Sequence, residues 1–90
     1  MKKKWTVYIV LCQDKTFYTG ISNDYMKRLE KHNSGKGAKY INLKRRPVKL
    51  VYLEAKRSIG DALRRELKIK KMSKINKIKL TLKYKMKKVK

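Results

Sequence analysis

The run Trp5-Thr6-Val7-Tyr8-Ile9-Val10-Leu11-Cys12 has no polar side to turn toward water. Its residues are mostly aromatic or β-branched, the types that fit a pleated, packed surface, so it reads as a strand buried on both faces. Gln13-Asp14-Lys15 is a turn, and Thr16-Phe17-Tyr18-Thr19-Gly20-Ile21 reads as a second strand, which makes the pair a hairpin.

Ser22, Asn23 and Asp24 are all good N-caps for the segment that follows. A helix is expected from about Tyr25 to Asn33, carrying Tyr25, Leu29 and His32 on one side, and Gly35 stops it. A basic, glycine-containing loop runs from Gly35 to Arg46, and Val48 to Leu53 returns as a third strand. Ser58 caps another helix, on which Ile59, Ala62, Leu63 and Leu67 form an apolar stripe. From Lys68 to Lys90 the chain holds eleven lysines and no acid. In that segment Met72, Ile75, Ile78 and Leu82 keep helical spacing, while Ile78, Leu80, Leu82, Tyr84 and Met86 alternate like a strand. The expectation is a helix at the start and a frayed tail beyond it. The class is therefore α/β (α+β), a small three-stranded, mainly antiparallel sheet flanked by helices in the order β-β-α-β-α-α. Residues 1–82 are expected to form one domain and residues 83–90 a basic tail; 90 residues leave no room for a second domain.

The charge balance narrows the partners. There are 28 Lys and Arg against 6 Asp and Glu, a formal net charge of +22. A chain so charged repels itself and calls for a polyanion, and nucleic acid fits because neutralising phosphates releases condensed cations. DNA is the expected partner, with RNA open and no small-molecule substrate implied. The loop contributes Lys36, Lys39, Tyr40, Lys44, Arg45 and Arg46, whose charges and neighbouring glycines suit phosphate contact without specifying sequence. Cys12 is the single cysteine, so no internal disulfide forms and a reducing, cytoplasmic setting is the simplest expectation. Lys2-Lys3-Lys4 before the apolar run imitates a secretion signal, but Gln13-Asp14-Lys15 replaces the small-residue cleavage site. No stretch approaches bilayer-spanning length, and a membrane role ranks last, although Ile, Leu and Lys alternate in the tail.

Candidate chemistry lies in five residues. Glu66 falls among the apolar positions of its helix, where a carboxylate is costly unless it is paired, hydrogen-bonded or metal-bound. Lys70 one turn on offers an ion pair, and Mg²⁺ (or Mn²⁺) offers the other solution, since it needs only one or two carboxylates with water and substrate phosphate. Arg28 and His32, one turn apart, are either ordinary helix residues or a phosphate clamp with a proton carrier. Tyr8 and Tyr18 on the hairpin are either core filling or phenols able to polarise a water.

Taken in order, Thr6-Val7-Tyr8, Tyr18-Thr19-Gly20, Arg28, His32 and Glu66 resemble the GIY-YIG nuclease superfamily. The wording of His32-Asn33-Ser34-Gly35-Lys36-Gly37-Ala38-Lys39-Tyr40, Arg45-Arg46-Pro47-Val48 and Leu63-Arg64-Arg65-Glu66 resembles its small stand-alone bacterial branch, over roughly residues 5 to 75. The resemblance implies a metal-dependent DNA endonuclease, structure-directed in repair or recombination. Tyr8 and Tyr18 would position or deprotonate the attacking water, and Gly20 would keep the second motif open. Arg28 would contact the scissile phosphate, His32 would assist proton transfer, and Glu66 would hold the single divalent cation. Thr6 and Thr19 replace the Gly and Ile of the superfamily name, and Asn76 is the one asparagine after Glu66. The competing reading is a basic nucleic-acid-binding module without turnover, motivated by the lysine-rich tail.

Overall fold

A computed structural model describes residues 4–37 and 41–88. Strand β1 (Trp5–Leu11) lies in the middle of a three-stranded sheet of order β2-β1-β3, with β2 (Phe17–Ser22) and β3 (Lys49–Lys56) both antiparallel to it. Every residue from Thr6 to Val10 is buried, as the apolar run requires. β3 extends past the expected Leu53 to Lys56, and a bulge opposite Ile9 and Val10 lets it stay in register with β1.

Alternation along β1 divides the core in two. Val7 and Ile9 pack with Tyr52, Ala62 and Ile69 on one face, while Tyr8, Val10 and Cys12 pack with Ile41 and Val48 on the other. Helix α1 (Tyr25–Ser34) covers the second face through Leu29. Asp24 is its N-cap, accepting from the Lys27 amide, and Gly35 ends it in the left-handed conformation at φ 86°. A short 3₁₀ turn, Leu43–Arg45, precedes β3 and is capped by Asn42.

Helix α2 (Ile59–Lys70), capped by Ser58, covers the first face. Here the sequence expectation is corrected. Ala62 and Ile69 are the buried residues of α2, and Glu66 sits between them on the same side; Ile59, Leu63 and Leu67 are exposed. The helix turns a small residue and a carboxylate toward the sheet and leaves three large apolar side chains in water. Helix α3 (Lys74–Lys88) then crosses back over β3, with Leu80 and Tyr84 against the core and the Tyr84 ring 5.6 Å from that of Tyr52. It continues past Leu82 to Lys88, through the segment expected to fray. Among the described residues, no helix is long and apolar enough to cross a membrane.

Candidate active site

Antiparallel pairing sets Tyr8 directly opposite Gly20. The phenol lies across that glycine: a Cβ there would stand 2.6 Å from Tyr8 Oη and 2.8 Å from Cζ, far inside van der Waals contact. The absent side chain lets the ring reach over β2 toward α1, where Tyr8 Oη and His32 Nε2 share a buried hydrogen bond of 2.8 Å. The Tyr18 ring completes the group, its centroid 5.3 Å from that of His32 in an edge-on arrangement and 6.4 Å from that of Tyr8.

Burial controls the protonation of this group. Tyr8 is 2% exposed and His32 fully buried. Loss of hydration pushes the Tyr8 phenol up to about 12, against the pull of the Arg28 guanidinium; the charges of Tyr18 and Glu66 push it further. Burial also lowers His32 to about 4, and the Arg28 charge adds to that. At neutral pH the pair is a neutral phenol against a neutral imidazole.

Arg28 is half-buried on α1, one turn before His32, and its charge reaches both members of the pair. It also lines an open cleft with Trp5, Ile21, Ser22, Asn23, Asp24, Lys27 and Lys31. Glu66 approaches from α2, half-buried, and its charge is felt at the Tyr8 phenol. The ion pair that the sequence allowed is present: Lys70 Nζ lies 3.4 Å from Glu66 Oε2, on a lysine that is largely exposed. Tyr8, Tyr18, Arg28 and His32 thus gather on one face, with Tyr8 and His32 as the floor and Tyr18 and Arg28 nearer to solvent, while the Glu66 charge reaches the phenol from α2.

A family model described as the GIY-YIG catalytic domain matches residues 4–79. The chain belongs to this family, a family of nucleases. A UPF0213 protein of Syntrophus aciditrophicus is 56% identical over 75 residues, covering 82% of this chain and 85% of that one. A UPF0213 protein of Staphylococcus saprophyticus is 49% identical over 77 residues, covering 86% and 93%. The solution NMR structure of a UPF0213 protein from Bacillus halodurans superposes with a TM-score of 0.57 at 41% identity, covering 90% of this chain and 86% of that one.

In this GIY-YIG domain the basic loop is less free than its sequence suggests. Lys36 and Lys44 are exposed, whereas Lys39 and Tyr40 lie outside the described residues. Arg45 Nε donates to Asp14 Oδ2 at 2.9 Å, which ties the loop to the hairpin turn. The Arg46 guanidinium folds over Gly35, where a Cβ would stand 2.5 Å from its terminal nitrogen, and its Nε is buried without a hydrogen-bond partner among the described residues.

Three features of the GIY-YIG domain escape sequence reasoning. Gly37 lies on the His32 ring. Asn33 clamps the Val48 backbone, its Oδ1 accepting from Val48 N at 2.7 Å and its Nδ2 donating to Val48 O at 3.4 Å, so the end of α1 is pinned to the start of β3. On the other face, Glu54 accepts from the Tyr52 hydroxyl, from Arg65 Nε at 3.0 Å and from Lys56 Nζ at 2.5 Å. Burial raises the Glu54 carboxyl, but these three donors outweigh it and hold the group at about 2. The spacing of Tyr52, Glu54 and Lys56 on one side of a strand was the available signal.

Proposed function

We propose that this GIY-YIG domain is a divalent-metal-dependent DNA endonuclease that hydrolyses a phosphodiester bond. The observation that carries the reading is the buried Tyr8–His32 hydrogen bond, flanked by Tyr18 and Arg28 and within electrostatic reach of the Glu66 carboxylate. A structural core has no need to gather two phenols, an imidazole, a guanidinium and a carboxylate.

The residues fit one divalent cation held jointly with substrate. No group of three or more His, Cys, Asp or Glu gathers among the described residues, so no all-protein cage is available for an ion. Glu66 is the one carboxylate at the cluster, with a loose pairing to an exposed lysine, and one carboxylate is what Mg²⁺ takes when water and phosphate complete its shell. Mn²⁺ suits the same oxygen donors. Such an ion, when bound, polarises the phosphoryl oxygen and stabilises the leaving oxygen.

The chain's own groups supply orientation and proton handling. Arg28 holds the scissile phosphate by paired N–H donors and offsets the charge that builds on its oxygens. Tyr18, on the rim, aligns the attacking water. Tyr8 presents an oxygen whose orientation is fixed by His32 and by the gap at Gly20. As water attacks phosphorus, a new P–O bond forms and one P–O bond to sugar breaks. In the assembled complex the water's proton passes to the Tyr8 oxygen as the phenolic proton moves to His32 Nε2, and the departing oxygen collects a proton from solvent. With its high pKa in the resting site, the phenol becomes a useful base only when positive charge arrives beside it. Cleavage therefore waits for the assembled complex. Lys36, Lys44 and the other surface lysines supply charge for the strand without specifying sequence.

The test is nicking of supercoiled plasmid and branched DNA, with Mg²⁺ or EDTA, by the wild type beside Glu66→Ala. The expected result is cutting by the wild type in Mg²⁺ alone and a loss of at least a hundredfold in the variant, roughly the size of one transition-state contact. Binding by both proteins without cutting by either would leave the domain as a nucleic-acid-binding module.

A further inference from the structure

Helix α3 has two apolar sides, and the fold uses one. Leu80 and Tyr84 pack on the core. Ile75, Ile78, Leu82 and Met86 are 66%, 39%, 52% and 73% exposed. At about 100° per residue these four fall within an arc of about 80°, centred on the side of α3 opposite Leu80 and Tyr84. The stripe runs about 16 Å along the helix. Lysines border it on both sides: Lys74 and Lys85 along one edge, Lys79 and Lys83 along the other. Leu82 and Met86 lie beyond residues 4–79, which the family model matches.

We propose that this outer face of α3 is a docking surface for an anionic lipid bilayer, with Ile75, Ile78, Leu82 and Met86 entering the headgroup boundary and the flanking lysines meeting lipid phosphates. Charge decides among the occupants. A second copy paired α3 to α3 is disfavoured, because every charged residue of α3 is a lysine, so self-pairing sets lysine against lysine. Nucleic acid would use the lysines but leave four large apolar side chains in water. A bilayer uses both, since its surface charge attracts the lysines and its acyl boundary takes the apolar side chains. The half of α3 that packs on β3 is already covered, so a partner meets only a shallow outer face, which suits a plane. This surface is separate from the tyrosine cluster and does not depend on how that cluster acts.

The experiment is flotation of the full chain with vesicles of phosphatidylcholine alone and of phosphatidylcholine with phosphatidylglycerol, across a salt series. A protein of charge +22 will touch anionic vesicles through charge alone, so the decisive comparison keeps every charge. Ile78→Ser/Leu82→Ser removes the centre of the stripe from an exposed face, and circular dichroism checks its fold. The expected result is flotation with phosphatidylglycerol that persists at salt sufficient to release a purely ionic contact, falling by about tenfold or more in the double variant. As a second reading, Met86→Trp should show a blue-shifted emission with phosphatidylglycerol vesicles and none with phosphatidylcholine alone. Equal flotation of wild type and double variant, or no shift at Met86→Trp, overturns the proposal. So does a wild-type dimer that the double variant abolishes, which assigns the stripe to a second copy, or a loss of duplex DNA binding with flotation unchanged, which assigns it to nucleic acid.

Discussion

Gly37 rests so closely on His32 that a Cβ at residue 37 would collide with the imidazole Nδ1 and stand 2.9 Å from the His32 Cα. The second of these clashes is with main chain, which cannot swing aside as the tip of a long side chain can. Gly37→Ala therefore has to displace either the loop or the ring. The expected cost is about 1–3 kcal/mol of stability, typical of overpacking, together with a weakened Tyr8–His32 hydrogen bond. Urea denaturation would give the first, and the downfield side-chain resonances of His32 would report the second. An unchanged midpoint with unchanged resonances would mean that the loop moves freely away from the ring.

Removing the Tyr8 hydroxyl leaves the buried His32 Nε2 without that partner. Tyr8→Phe should cost about 1–3 kcal/mol, the usual penalty for a buried polar group deprived of its hydrogen bond. Tyr18→Phe removes a hydroxyl from a half-buried ring and should cost less, while cleavage falls in both. Equal stability loss in the two variants would show that the Tyr8–His32 bond carries no special weight.

The pH dependence of stability separates two groups by direction and window. His32 falls from an ordinary 6.5 to about 4 in the folded protein. Between those values the unfolded chain binds the proton and the folded one does not, so stability falls as pH drops from 6.5 toward 4 and is level above that. Glu54 falls from 4.5 to about 2, so its contribution is intact above 4.5 and is lost only as pH descends toward 2. Denaturant midpoints measured from pH 7 to pH 4.5 should fall for the wild type and stay flat for His32→Gln. A slope that survives that substitution would place the titration elsewhere.

Glu54 ties β3 to α2 through Arg65 on the face away from the tyrosines. Glu54→Ala leaves Arg65, Lys56 and the Tyr52 hydroxyl competing for water in a half-buried place. The expected loss is about 1–3 kcal/mol, measured by thermal or urea unfolding, with cutting of plasmid retained at temperatures where the variant is folded. A stable but inactive variant would show that the bridge serves the reaction and not the scaffold.

Much of this architecture is legible in the chain. The apolar run marks β1, the short turn marks the hairpin, and Asp24, Gly35 and Ser58 bound two helices as their chemistry predicts. The resemblance picks out Tyr8, Tyr18, Arg28 and His32, which the structure brings together, and Glu66, whose charge reaches Tyr8 from α2. Periodicity misleads on α2, because it identifies an apolar stripe without saying which side meets the sheet. Ala62 lets the helix approach closely, and Glu66 follows it inward while Leu63 and Leu67 stay outside. The end of α3 misleads for another reason: residues 78 to 86 satisfy a period of two by coincidence, and the packing of Tyr84 on Tyr52 supports the helix. Gly37 and Asn33 act across the tertiary fold, on His32 and Val48, and no local pattern reveals either contact.

The position of Tyr8 on β1 has a dynamic consequence. That strand is hydrogen-bonded to neighbours on both edges and covered on both faces, so its amides belong with the slowest to exchange with solvent deuterium, opening only when the whole domain unfolds. The phenol is thus mounted on the most rigid part of the molecule. Arg28 and Lys36 ride on one helix and the loop after it, outside the sheet. Local opening is left to segments outside the sheet, such as the loop that carries Lys36, while the mount of the phenol stays closed.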